Sequence, residues 1–184
     1  RVPRRRQREL GAPVTRLAVD RLDSPAGPVV LIASETGLVV VDFGEPEDRL
    51  WRMLERRFGS ARPVPATDPL GATSALRAYL AGRLDAIDGL PVDAGGTPFQ
   101  RQCWAALRTI PAGTTWSYRR LAAEIGRPSA VRAVGLANGA NPVGIVVPCH
   151  RVIGANGSLT GYGGGIERKR WLLEHEGALL RIGA

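Results

Sequence analysis

The sequence predicts a two-part protein: an α/β N-terminal domain, a small β-meander with helices, followed by a mainly α-helical C-terminal domain with a helix-turn-helix. Three observations lead there. Short β-branched runs alternate with turn residues between Thr15 and Phe43. From Pro98 onward the apolar residues recur at helical spacing. The change of pattern falls at Ala94-Gly95-Gly96-Thr97-Pro98, where the charge also changes. The expected division is a disordered basic arm over 1–13, an N-terminal domain over 14–96 and a C-terminal domain over 97–184.

Leu17 and Val19 alternate with polar neighbours and read as a first strand; Ser24-Pro25-Ala26-Gly27-Pro28 is a turn. Val29 to Ala33 and Leu38 to Phe43 form a hairpin across Glu35-Thr36-Gly37. Pro46 to Phe58 reads as a helix with Leu50, Met53 and Leu54 on one face. A Pro-containing loop over 59–69 follows, then a helix over 71–81 burying Leu76, Tyr79 and Leu80, and a last strand over 87–92.

In the second half Thr97 is an N-cap with Pro98 at the first helical position, and the helix runs to about Thr109. Ser117 caps a second helix through Ile125, Gly126-Arg127-Pro128 breaks it, and a third runs from about Ser129 to Gly139. Two short helices joined by a Gly-containing turn form the helix-turn-helix. The third helix is rich in Ala and Gly, although Gly in a helix costs about 1 kcal/mol relative to Ala. Close helix packing or close approach to a partner surface accounts for such a helix, and Arg132 is its one long polar side chain. The last helix, Ile166 to His175, is expected to turn Arg168, Lys169 and Arg170 outward and Trp171, Leu172 and Leu173 inward.

Composition narrows the function. At 184 residues, with 44% hydrophobic and 23% charged, the chain has the apolar content for a core and is not uniformly disordered. No apolar run approaches the ~20 residues of a membrane-spanning helix. Residues 1–9 hold five Arg and one Glu, residues 10–96 nine Arg against twelve acids, and residues 97–184 ten Arg and one Lys against four Glu. A basic C-terminal half points to a polyanion, most often nucleic acid, although the excess of Arg over Lys also fits the base composition of a gene. The two cysteines, Cys103 and Cys149, and the two histidines, His150 and His175, match no zinc spacing, so no metal is expected. No apolar segment backs the N-terminal arginines as in a secretory leader, and a reducing cytoplasm is the expected compartment.

Chemistry concentrates at Pro148-Cys149-His150-Arg151, after the apolar run Val143 to Val147 and before a loop with six glycines between Gly154 and Gly165. A free thiol ionises near pH ~8.5, so a thiolate at neutral pH needs a base or a cation nearby. His150 is the candidate base, and a carboxylate would orient it. Glu124, Glu167, Glu174 and Glu176 are the choices in this half; Glu176 is favoured, though spacing does not decide among them. Cys103, inside an apolar helical run, reads as an inert buried thiol.

The run Pro148-Cys149-His150-Arg151, the Gly-rich loop with Tyr162, and Trp171-Leu172-Leu173 closing at His175-Glu176-Gly177 resemble the O6-alkylguanine-DNA alkyltransferases. Phe99-Gln100, Ser117-Tyr118, Arg132-Ala133-Val134-Gly135 and Asn141-Pro142 extend the likeness in order, from about Thr97 to Gly177. It continues more loosely into the N-terminal half through Ser24-Pro25-Ala26-Gly27.

The resemblance implies an RNase H-like N-terminal domain and single-turnover DNA repair by direct reversal, with Cys149 accepting the alkyl group. Glu176 would hold His150, His150 would deprotonate Cys149 through a water, and Asn141 would brace the turn presenting the thiol. Tyr118 would rotate the phosphate 3′ of the target and meet the flipped base. The carbonyls of Cys149 and Val152 would read its exocyclic amine, with Tyr162 and Gly163 lining the pocket. Arg132 would fill the vacated stack while Ala133, Gly135, Arg151 and Ser117 contact DNA in the minor groove. The implied partner is double-stranded DNA with an extruded alkylated base, bound by a monomer, with cooperativity on DNA left open; no cofactor is implied. Gly163 stands where several relatives place Ser, which leaves bulkier alkyl groups and O4-alkylthymine open as substrates. Three alternatives compete: a lesion sensor, which lacks the cysteine; a Cys-His-Glu hydrolase, which turns over repeatedly; and a transcription factor with a structural Cys-His pair.

Overall fold

The computed structural model describes residues 16–179; the expected basic arm lies outside them. The meander forms as the turn signals predict. Strands β1 (Ala18–Leu22), β2 (Val29–Ala33) and β3 (Leu38–Phe43) pair antiparallel, with a bulge at Ile32/Ala33. A fourth strand, β4 (Val64–Pro65), adds parallel to β1, giving the order β3-β2-β1-β4. It lies in the segment expected to be loop, too short and too Pro-rich to carry a strand signal.

Helix α1 (Asp48–Phe58) lays Leu50 and Leu54 on one face of the sheet, against Leu17, Ile32 and Val40. Helix α2 (Ala72–Leu80) covers the other face, burying Leu76 and Tyr79. The strand expected over 87–92 is not present. That segment is a series of turns, and Val92 alone bridges to Leu38. Its apolar residues Ile87 and Leu90 are buried, but as turn side chains filling the core, a pattern that periodicity does not separate from a strand.

Gly37, in the β2–β3 turn, lies where a Cβ would come within 2.9 Å of the backbone of Val92 and Asp93. Backbone cannot yield as a flexible side chain would. Gly37→Ala is therefore expected to lower stability by about 1–3 kcal/mol, read as a fall in urea midpoint at unchanged slope.

The C-terminal half comprises α3 (Pro98–Leu107), α4 (Tyr118–Glu124), α5 (Val131–Gly139) and α6 (Ile166–His175). Thr97 and Gln100 make a reciprocal capping box at the start of α3. Ser117 caps α4, its Oγ accepting from the Arg120 N–H at 3.1 Å. A two-residue strand, β5 (Trp116–Ser117), pairs parallel with β6 (Val152–Ile153), placing the start of α4 beside the exit of the Cys149 segment. One apolar core joins the two halves, running from the sheet and α2 through Cys103 and Leu107 to Val143, Val147 and Leu172. No helix of the described residues is long and apolar enough to cross a membrane.

Candidate active site

Cys149 is presented by a backbone that the N-terminal sheet holds in place. Val41 of β3 donates its N–H to the Pro142 carbonyl at 3.0 Å and accepts from Gly144 at 2.8 Å, so residues 142–144 extend the sheet. Two tight turns follow. Ile145 has φ of 66° inside a γ-turn closed by Val146 N–H to Gly144 O, a strained conformation for a β-branched residue. Pro148 (φ −81°, ψ 64°) forms an inverse γ-turn closed by Cys149 N–H to Val147 O. A 3-10 turn over Cys149–Arg151 then aims the thiol and the imidazole.

Asn141 brackets this geometry. Its Oδ1 accepts from Val143 N–H at 3.0 Å, and its Nδ2 donates to Val147 O at 2.8 Å and to Cys149 Sγ at 3.2 Å. The thiol is 7% exposed. Burial raises its pKa, while the Asn141 bond and the charge of Lys169 pull the other way.

Behind the cysteine lies a buried ionic cluster. His150 Nε2 and Glu176 Oε1 are 2.9 Å apart with both side chains inaccessible. Burial opposes the charge of Glu176, but hydrogen bonds and charge from His150 and Arg151 overcome this and hold its carboxyl well below the usual range. An ionised carboxylate only accepts, so Nε2 carries the imidazole proton and Nδ1 holds the lone pair. Burial lowers the pKa of His150 and keeps the ring neutral at rest. Nδ1 is buried and has no hydrogen-bond partner among the described residues. It is the free basic nitrogen next to the thiol in the chain.

Two members of this cluster were not expected in it. Arg151, read as a DNA contact, is 3% exposed; its Nε and Nη2 clamp Glu176 at 2.9 and 2.8 Å, and its Nη1 donates to the Ile110 carbonyl. The DNA-contact assignment is thereby corrected, because a guanidinium committed on three sides in the core cannot reach phosphate. Tyr79 of α2 donates its hydroxyl to Glu176 Oε1 at 2.7 Å. Its apolar spacing marked it as core, which it also is; nothing in the sequence shows that its hydroxyl lies against a residue 97 positions away.

In front of the thiol is a narrow cleft of about 20 Å³, room for about one water molecule. Cys149, Asn138, Asn141, Tyr162 and Gly163 line it, with Asp42 and Arg49 from the N-terminal half. Gly163 is exposed, and a Cβ there would meet the Arg49 guanidinium at 3.4 Å. Asn138 donates to the Cys149 carbonyl at 3.3 Å and leaves its buried Oδ1 unpartnered. Tyr118, at the first turn of α4, donates its hydroxyl to the Thr160 carbonyl at 3.2 Å; burial raises its pKa. Val152 is fully buried, its carbonyl accepting from Lys169 Nζ at 2.7 Å.

On the outer surface Arg132 and Ala133 of α5 are exposed, Gly135 is half-buried near the Tyr118 ring, and Ser117 is half-buried as the α4 cap. Leu136, on the same face of α5, is 72% exposed. Lys169, expected to point outward, is inaccessible. Arg168 is partly buried, its guanidinium 5.0 Å from the Phe43 ring centroid.

Two family models match the chain: the DNA-binding domain of 6-O-methylguanine DNA methyltransferase over residues 98–178 and its ribonuclease-like domain over 19–94. The chain belongs to the 6-O-methylguanine DNA methyltransferase family. The methylated-DNA–protein-cysteine methyltransferase of Shigella flexneri is 51% identical over 169 residues, covering 90% of this chain and 98% of the relative. That of Mycobacterium tuberculosis strain H37Rv is 51% identical over 158 residues, covering 84% and 89%. The crystal structure of the M. tuberculosis O6-methylguanine methyltransferase superposes with a TM-score of 0.73 at 44% identity, covering 88% of this chain and 93% of that one. The M. tuberculosis OGT in complex with DNA gives 0.73 at 47% identity, covering 87% and 92%. Within the 6-O-methylguanine DNA methyltransferase family, then, this chain has the ribonuclease-like N-terminal part and the helical DNA-binding part that its sequence predicts.

Proposed function

We propose that this chain repairs DNA by direct reversal, transferring the alkyl group of an O6-alkylguanine irreversibly to Sγ of its own Cys149. The observation that carries this reading is the buried array of a thiol bonded to Asn141, a neutral His150 with a free Nδ1, and an ionised Glu176 behind it.

In the resting state the proton stays on sulfur, because burial disfavours a lone thiolate. His150 Nδ1 takes that proton through a bridging water, and Glu176 stabilises the imidazolium. Sγ attacks the alkyl carbon, the carbon–oxygen bond breaks, and the electron pair goes to guanine O6. Tyr118, kept protonated by burial, supplies the proton to the leaving base. A thioether has no tendency to leave, so each molecule acts once. The carbonyls of Cys149, which accepts from Asn138 and the Val152 N–H, and of Val152, which accepts from Lys169, are the readers of the exocyclic amine of the base.

A base inside a duplex cannot reach this cleft, so the target is extruded. Helices α4 and α5 form the DNA-binding element, with the small exposed face of α5 against the minor groove and Arg132 filling the vacated stack. Residues 14–96 and 97–184 are read as separate domains on the same grounds as in the sequence. Incubation of the protein with O6-methylguanine duplex should add one methyl group per molecule, mapped to the Cys149 peptide; repeated turnover, or methylation elsewhere, overturns the proposal. Arg132→Ala should slow repair of duplex by about tenfold while leaving reaction with free O6-benzylguanine within about twofold, because only the duplex requires extrusion. Equal losses on both substrates would refute the role of Arg132.

A further inference from the structure

Lys169 is the single lysine of an arginine-rich chain, it is fully buried, and the chemistry above does not use it. Burying an ammonium is costly unless its donors are matched. Here Nζ donates to the Val152 carbonyl at 2.7 Å and the Thr160 carbonyl at 2.9 Å. A compact ammonium converges on two carbonyls where the flat fork of arginine would not. These two carbonyls lie next in the chain to segments that line the cleft, the Cys149 turn and the loop from Gly161 to Gly164. Val152 begins β6, directly after the Cys149 turn; Thr160 lies in the Gly-rich loop. The Thr160 carbonyl also accepts the Tyr118 hydroxyl. Among the described residues, these two bonds to Thr160 are the only hydrogen bonds tying residues 155–163 to anything beyond the flanking Gly154 and Gly165.

We propose that Lys169 is a positioning residue of the alkyl-acceptor site, pinning the Gly-rich loop to β6 so that the cleft keeps its shape when the Tyr118 hydroxyl leaves Thr160 for the incoming base. This rests on the reading that Tyr118 meets an extruded base. With Tyr118 released, the ammonium is, among the described residues, the one remaining hydrogen-bonded tie of the loop segment beyond its flanking residues. Its charge also bears on the thiol: Cys149 faces Lys169 from α6, Asp42 from β3, Tyr118 from α4 and Tyr162 from the loop, with His150 next in the chain. Of these, Lys169 favours the thiolate and Asp42 opposes it. Burial brings the Lys169 pKa down to about 8, so the cation persists at neutral pH.

Lys169→Met keeps length and apolar stem but removes the donors and the charge. With O6-methylguanine duplex, its saturating transfer rate should fall about tenfold or more while the half-saturating DNA concentration changes less than about twofold. Amide hydrogen exchange over residues 155–163 should accelerate selectively, and the pH profile of iodoacetamide labelling at Cys149 should move upward. Lys169→Gln, which keeps an uncharged NH2 donor group, should fall between the two and carries the same comparison if the methionine variant does not fold. Wild-type rates and loop exchange in these variants overturn the proposal, as does a slowing in which exchange rises everywhere rather than in the loop. A wild-type protein that transfers no methyl group would sink the repair reading instead, and the exchange and labelling comparison would still decide the role of Lys169.

Discussion

Cys149→Ser is expected to abolish methyl acceptance completely while binding of O6-methylguanine duplex stays within about twofold of wild type. A serine hydroxyl is a far weaker nucleophile than a thiol at neutral pH unless a base fully activates it, and in the proposed relay His150 acts on it through a water. The substitution leaves the framework alone. Asn141 still bonds Val147 and Val143, and the β3 ladder to residues 142–144 does not involve the side chain. Intact-mass analysis reads the first part and fluorescence anisotropy the second. Cys103 offers no second acceptor, since it is fully buried in α3 and burial raises its pKa. Methylation surviving in the variant would refute the assignment of Cys149.

Glu176→Ala is expected to cost about 3–5 kcal/mol of stability and to remove most of the repair activity. The carboxylate accepts from Tyr79, His150 and Arg151, and every one of these donors is buried. Truncation leaves Arg151 as an uncompensated internal cation and frees the ring of His150 from the tautomer that makes Nδ1 a base. Urea unfolding at pH 7 measures the first effect and single-turnover repair at saturating DNA the second.

The pH dependence follows from the same cluster. His150 has a folded pKa depressed below 6.5, so the unfolded chain binds the extra proton first, and the stability of the neutral ring is present above 6.5 and declines as pH falls below it. The folded pKa of Glu176 is depressed below 4.5; its contribution is present above that value and is lost as pH falls toward the folded pKa. Thermal midpoints of the wild type should therefore drop in two windows, and Glu176→Ala should show a smaller drop in the lower one, to which Asp20 and Asp68 still contribute. A midpoint that rises on acidification from pH 7 to 5 would contradict a buried neutral His150.

What was legible in the sequence was what is encoded locally. The hairpin at Glu35-Thr36-Gly37, the Thr97 cap and the Ser117 cap depend on residues within a few positions of one another, and each formed where its signal lay. Short segments with weak local signals fared worse: β4 went unseen and the turns over 87–92 looked like a strand. The motif Pro148-Cys149-His150-Arg151 pointed to the nucleophile and its base, and the array around them has the chemistry such a motif needs.

The charged residues divide differently. In the linear sequence Arg151 looked like a DNA contact and Lys169 like a solvated helix face, since a long cation is usually exposed. Both are in the core, because their acceptors come from far along the chain. Glu176 lies 25 residues from Arg151, the Val152 carbonyl 17 from Lys169, and the Tyr79 hydroxyl reaches Glu176 across 97 positions. The sequence by itself therefore determined the hairpin, the main helices, the Thr97 and Ser117 caps and a candidate reactive motif. Only the packing of α2 and α6 against the Cys149 turn decided which cations are buried at the site and which stay on the surface, because burying a charge is settled by long-range partners that no local pattern encodes.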